Sequence, residues 1–383
     1  MLLSVVVFAA TGYGWAVVTE ETVTSSALGD REPAGLDEEF TALLVGIDSR
    51  TDASGDPLPD DVLAELRAGA EEGQFNTDTI ILLHVPAGVQ ASASAVSIPR
   101  DSFVELADDL GTHKINSTYR RGMLAAEEDL TAQGLAGSAL ERASREAGRR
   151  ALVDTVEQLT GVAVDHFAEI NLAGFVEITE AIGGVPVCLN APVMEERAGI
   201  DLPAGRQVVS GGDALAFVRQ RRDLPAGDLD RVTRQQAFLA GLARQALAPG
   251  ALTDPARIDA LVRAVTRYVV LDRGWDLDRL VAQLRRASGS DIAFVTIPTG
   301  RPDLDTPVDG VAVEIDPDRV REFVSRVVDD GRMRLASPLP STPPPTASGT
   351  TAPRTSAPAD TPTTSPTVPA PDPITADAVP CVD

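Results

Sequence analysis

Between residues 39 and 336, short apolar β-rich runs alternate with longer stretches of helical spacing, and this constrains the fold more than any other feature. Phe40–Ile47 (FTALLVGI), Thr79–Val85 (TIILLHV) and Ser94–Ile98 (SAVSI) are bounded by Gly, Pro and Asp and read as strands. Ala143–Leu159 and Asn171–Ile182 have helical spacing, the second stopped by Gly183-Gly184. Ser210–Arg222 and Asp228–Leu247 read as two further helices, with Leu224-Pro225-Ala226-Gly227 between them. Ile292–Ile297 reads as a late strand and Asp316–Val328 as a last helix. Strands interspersed with helices predict an α/β fold, a layered sheet with helices on both faces.

The two ends differ from this middle region. Leu2–Val18 carries no charge before Glu20, and its seventeen residues as a helix would span about 26 Å, close to a hydrocarbon core of ~30 Å. It lacks a basic flank and an A-x-A site, so it reads as an anchor and not a cleaved signal. A buried core helix is the alternative, which Gly12 and Gly14 would weaken. The expected organisation is an anchor over 1–19, a linker over 20–38, the folded domain over 39–336 and a tail over 337–383. That tail is rich in Pro, Thr, Ser and Ala without an aromatic residue, so it should stay extended.

Composition removes several function classes. With 33 basic against 57 acidic residues the formal charge is −24, the wrong sign for a general nucleic-acid binder. Two cysteines cannot build a disulfide-dense scaffold or a four-thiolate zinc site. His84, His113 and His166 have no paired ligand spacing, which argues against a zinc hydrolase. Cys188 and Cys381 either pair in an oxidising compartment or remain free thiols. Lys114 is the single lysine in an otherwise arginine-only set.

No nucleophile elbow, P-loop or dinucleotide fingerprint is present in the sequence. Acids and arginines do collect at strand ends: Asp48 and Arg50 in GIDSR, Asp78 in NTDT, Arg100 and Asp101 in SIPRD. Two carboxylates suit Mg²⁺, which takes its other ligands from water and phosphate, and arginine forks suit phosphate oxygens. Taken singly, each acid reads as turn chemistry or a solvated cap. Arg219, Arg221, Arg222, Arg231 and Arg234 then cluster within a strongly acidic chain. The cluster reads either as a solvated face or as a site for a polyanionic group. If Asp228 caps its helix, Arg231, Gln235 and Phe238 share one face.

The blocks TALLVGIDSR, FNTDTIILLHV, AVSIPRDSFVEL, HKINSTYRRG, VDHFAEINLAGFVEITEAIGGVPV, ALAFVRQRR and GDLDRVTRQQAFL resemble, in order, those of the LytR–CpsA–Psr family. The resemblance covers Thr41 to Leu239. It implies a layered α/β/α core with a mixed central sheet, in a membrane-anchored extracellular phosphotransferase. Such an enzyme moves a glycopolymer from a polyprenyl (pyro)phosphate carrier to the cell wall, usually peptidoglycan. It implies Mg²⁺ held by Asp48 and Asp78, and phosphate ligands at Arg100, Arg219 and Arg221. Lys114, Asp228, Arg231 and Gln235 would complete the polar site, with Arg50 and Asp101 at matching positions and Asp101 able to serve as a base. Asp230 stands where the family commonly has Gly, and Asn76 where many members have Arg. The prenyl chain implies an apolar tunnel between the sheet and helices including Asn171–Ile182. The arginine-rich usage and the tail resemble actinobacterial members. An extracellular position implies an oxidised Cys188–Cys381 pair. The competing functions are a Mg²⁺-dependent lipid pyrophosphatase and a non-catalytic wall-binding or regulatory protein.

Overall fold

The computed structural model describes residues 22–31, 38–66, 75–87, 93–195, 200–220, 227–248, 254–273, 275, 292–333, 373–375 and 379–383. The first strands are β1 (Val23–Ser25), β2 (Phe40–Ile47), β3 (Thr77–Val85), β4 (Ser94–Ser97), β5 (Ser102–Glu105) and β6 (Thr112–Lys114). After them come β7 (His166–Asn171), β8 (Val185–Leu189), β9 (Val193–Glu195), β10 (Ile200–Leu202), β11 (Gly205–Val209) and β12 (Val269–Asp272). The last are β13 (Ala293–Thr296), β14 (Leu304–Thr306), β15 (Gly310–Glu314), β16 (Ile374–Thr375) and β17 (Cys381–Val382). The helices are α1 (Asp60–Glu65), α2 (Thr118–Ala132), α3 (Gly137–Thr160) and α4 (Leu172–Ala181). They continue with α5 (Gly211–Arg219), α6 (Asp228–Leu247), α7 (Pro255–Tyr268) and α8 (Pro317–Met333).

β2 explains the layering. Successive strand side chains point to opposite faces, so Ala42 and Leu44 enter one core while Leu43 and Val45 enter another. Ile81 and Leu83 of β3 join the first core, Ile80 and Leu82 the second. Helices α4, α5, α6 and α7 cover the first face, and α2, α3 and α8 cover the second. A strand buried on both sides reads as a continuous apolar run, as FTALLVGI does. The eight-stranded sheet runs β1-β12-β7-β2-β3-β4-β13-β16. Its β2–β3 and β3–β4 pairs are antiparallel and its β2–β7 and β4–β13 pairs parallel, so the core is α/β/α around a mixed sheet.

Local chemistry sets the element ends. Asn171 caps α4 by accepting from the Gly174 amide at 2.8 Å, and Gly183 and Gly184 end that helix at φ 84° and 87°. Asp254 caps α7 through the Ala256 amide at 2.9 Å.

Short described segments near both ends join the sheets. β1 lies within the expected linker yet pairs in parallel with β12, because a strand edge offers unpaired backbone groups to any neighbouring extended segment. Of the expected tail, 373–375 and 379–383 are described: there β16 pairs with β13, and β17 pairs with β8 in a three-stranded sheet, while the rest lies outside the described residues. Cys188 and Cys381 form a disulfide there. The expected anchor over 1–19 lies outside the described residues, among which no helix is long and apolar enough to cross a membrane.

Candidate functional site

The antiparallel β2–β3 pair creates the site. Ile47 lies opposite Thr77, so the exit of β2 delivers Asp48 beside the entry of β3, which carries Asp78. Asp78 is the second residue of that strand and does not precede it, because pairing extends two residues beyond the apolar run. Arg100 and Asp101 occupy the turn between β4 and β5, and Lys114 ends β6. Arg219 ends α5, and Asp228 opens α6 with Arg231 and Gln235 following on the same helix.

These side chains form one connected set. Arg100 is ion-paired with Asp78, and its Nε lies 3.5 Å from Asp101. Lys114 Nζ lies 3.6 Å from Asp101, whose amide donates to Asp228 at 3.4 Å. Asp228 pairs with Arg231, and Arg219 lies 3.8 Å from Asp48. Gln235 donates to the main-chain oxygens of Asp78 at 3.5 Å and Val218 at 3.3 Å. Arg50 acts on Asp48 through its charge.

Two expectations change. Asp228 does not cap α6: Gly227 occupies the cap position at φ 58°, and Asp228 is already helical. Its carboxylate is thereby released to meet Arg231 and the Asp101 amide. Arg234 does not join the positive site; it is buried, bonds to Gln220 and the Asp383 main chain, and lies 5.6 Å over the Phe217 ring. Arg231, three residues earlier and only about 60° away around the helix, meets Asp228 instead, so it is the partners available to each side chain that divide the two. Arg221 and Arg222 lie outside the described residues. Asp230 fits the first turn of α6, where an acid complements the helix dipole.

Burial raises the Asp48 carboxyl above its usual value, opposed by Arg219 and reinforced by the neighbouring Asp78 charge. Burial also raises Asp228, although Arg231 pulls it down. Arg231 is lowered by burial against the pull of Asp228. For Arg100, burial works downward, but Asp78, Asp101 and Asp228 outweigh it and the guanidinium is raised.

Beside this set a mostly apolar cavity runs between the sheet and helices α4, α5 and α6. Its polar end contains Asp78, Asn171, Arg219 and Gln235, and its walls include Leu44, Ile81, Leu83, Phe175, Leu215, Val218, Phe238 and Phe294. Asn171 stood out in the sequence only as a helix start; its place at the cavity rim depends on β7 lying beside β2.

The donor set fits Mg²⁺. Among the described residues no group of three or more His, Cys, Asp or Glu is placed to hold a metal. Asp48 and Asp78 instead supply two hard oxygen donors whose mutual repulsion a cation relieves, leaving other positions for water or phosphate.

The site thus sets arginines and a carboxylate pair beside an apolar cavity within an α/β/α core. The chain belongs to the LytR_cpsA_psr family, whose profile matches residues 15–324. It is 44% identical over 342 residues to "Cell wall biosynthesis protein LcpA" of Corynebacterium glutamicum, covering 86% of this chain and 64% of that protein. It is 26% identical over 277 residues to the Enterococcus faecalis "Polyisoprenyl-teichoic acid--peptidoglycan teichoic acid transferase TagU", covering 71% and 74%. The crystal structure of Bacillus subtilis TagV shares the fold at a TM-score of 0.54 and 22% identity, over 76% of this chain and 98% of that one.

Proposed function

We propose that this chain transfers a glycopolymer from a polyprenyl (pyro)phosphate carrier to a peptidoglycan acceptor by Mg²⁺-dependent phosphoryl transfer. The observation that carries this reading is the continuity of the apolar cavity with Asp78, Arg219 and Gln235 at its polar end. An amphipathic carrier fits such a site; a soluble phosphate ester would leave the apolar walls wet.

Phosphoryl transfer spreads negative charge over equatorial oxygens, so the protein's part is positioning and electrostatic stabilisation. Bound at Asp48 and Asp78, Mg²⁺ would neutralise charge on the carrier phosphates. Arg219 and Arg100 bracket that carboxylate pair from two sides and can grip phosphate oxygens. Asp101, set between Arg100 and Lys114, orients both cations rather than serving as a base. Arg231 holds Asp228 against the Asp101 turn, and Gln235 ties α6 to β3 and to the end of α5.

Membrane anchoring through residues 1–19 and an extracellular catalytic domain belong to the same reading. The Cys188–Cys381 disulfide supports it, since such bonds persist in oxidising compartments.

The test is an assay of the purified protein with a polyprenyl-pyrophosphate-linked oligosaccharide and a peptidoglycan fragment. Mg²⁺-dependent transfer is expected. Arg219→Ala should weaken carrier binding by roughly 1.5–3 kcal/mol, the scale of a lost charge-assisted hydrogen bond. Phosphate release without transfer would make the protein a lipid pyrophosphatase, and absence of both would leave a non-catalytic wall protein.

A further inference from the structure

We propose that Phe75 and Arg145, which lie outside the polar site, act together as positioning residues that fix Asp48 against Asp78 for Mg²⁺. The inference rests on the Mg²⁺ reading above and adds two residues to it.

The β2–β3 ladder does not by itself align the two carboxylates. Its register shifts between Gly46 and Ile47, and Asp48 lies beyond the end of β2. Past that shift, alignment passes to a main-chain exchange: the Asp48 amide donates to Asn76 at 3.0 Å, and the Phe75 amide donates to Asp48 at 2.8 Å. Asp78 follows Phe75 by three residues, so the backbone at Phe75 sets where both carboxylates stand.

Phe75 adopts φ 63°, a left-handed conformation that disfavours a bulky residue and that glycine adopts freely. Strain of this kind persists only where surrounding contacts impose it, and it concentrates at functional sites. The ring packs against the second core and makes two directed contacts. The Phe75 ring stacks on Tyr119, with centroids 6.3 Å apart and planes 8° from parallel. The Arg145 guanidinium lies 4.9 Å from the ring centroid.

Arg145 also grips the other segment. It is 4% exposed and donates from Nη2 to Thr51 Oγ1 at 2.8 Å and to Glu141 at 2.7 Å. Thr51 Oγ1 is in turn 2.8 Å from Ser49 Oγ, and the Thr51 carbonyl accepts from Asn171 at 2.7 Å. One α3 side chain thus braces the segment after Asp48 and the ring before Asp78. A guanidinium can do both because its face meets the ring while its edge donates.

The test measures Mg²⁺ binding to the purified, otherwise intact protein by titration calorimetry, with Mn²⁺ as a paramagnetic probe and thermal unfolding in parallel. Phe75→Gly and Arg145→Ala should each weaken Mg²⁺ binding by on the order of ten- to hundredfold, the scale for residues supporting metal ligands. The double variant should lose little more than either single, because the two residues act as a unit. Phe75→Tyr keeps the ring and should bind as wild type does. Phe75→Gly relieves the strain at that φ but forfeits the ring's packing, so Mg²⁺ affinity is read on protein that thermal unfolding shows to be folded without metal, and this separates positioning from folding. Wild-type affinity in Phe75→Gly would overturn the inference while leaving the metal site standing. Failure of the wild type to bind Mg²⁺ would overturn both.

Discussion

Asp48 and Asp78 lie at the same end of the adjacent strands β2 and β3 but differ in what their loss should do. Asp78 neutralises Arg100, so Asp78→Asn should lower the metal-free melting temperature, at a cost of about 1–3 kcal/mol for a guanidinium left without its partner. Asp48 is a desolvated carboxylate beside a like charge, with Arg219 no nearer than 3.8 Å. Asp48→Asn should therefore not lower the melting temperature in metal-free buffer. Both variants should abolish Mg²⁺-dependent turnover, and differential scanning calorimetry with a turnover assay separates the two effects. Asp228 supplies a pH signature. Burial raises its folded value above the unfolded one, so the folded state binds the proton more tightly. Its contribution to stability is then present at acid pH and lost as pH rises from the ordinary aspartate value through the raised one. Asp228→Asn does not titrate there. The stability of wild type relative to that variant should fall with rising pH across that window, measured by denaturant unfolding at a series of pH values. A flat difference would mean that Arg231 fully offsets the burial.

Packing between elements rests on a few close approaches. Gly148 of α3 faces α2 so closely that an added Cβ would meet the Tyr119 carbonyl at 2.5 Å and the Met123 side chain at 2.8 Å. Backbone cannot yield as a side-chain tip does, so Gly148→Ala should push α2 away from α3. Overpacking of this kind costs roughly 1–3 kcal/mol, despite alanine's better helix propensity. The displacement would also disturb Tyr119, on which Phe75 stacks. Thermal unfolding checks the first effect. The periodicity of β2 and of α6 was legible because each element carries its burial pattern in its own sequence, and both ranges agree residue for residue with the expectation. The short strands β5, β6, β14 and β15 were not, since three to five residues of backbone pairing leave little pattern and depend on distant partners.

On the scale of the whole molecule, the C-terminal residues close the structure. Cys381 pairs in register with Cys188, the Asn190 amide donates to Val382 at 2.9 Å, and the disulfide spans 193 residues of sequence. Cross-linking so long a loop restricts the unfolded chain, worth up to about 5 kcal/mol on the entropic argument and commonly 2–5 for a native bridge. Cys381→Ser should therefore lower stability by roughly 2–5 kcal/mol, read from denaturant midpoints under non-reducing conditions. The native, unreduced protein should take up no thiol reagent, and labelling at both cysteines would count against the extracellular assignment.

The sequence by itself determined what is local and chemical. Alternating apolar runs set the layers, and GIDSR, NTDT and SIPRD placed acids and arginines at strand ends. The order of the family blocks identified the protein's kind. The tertiary structure alone decided which of those groups meet. The antiparallel β2–β3 pairing brings Asp48 to Asp78. The first helical position of Asp228 turns it from a cap into a partner of Arg231, and the register of α6 sends Arg234 to Gln220 and away from the site. It also decided that a Pro/Thr-rich tail ends as a strand on β8, and that a phenylalanine is held at a positive φ beside a buried arginine. Periodicity is a property of one segment and its solvent exposure. Ion pairs, strand edges and strained backbone are settled by contacts between segments far apart in sequence, whose energies exist only once the chain has closed around them.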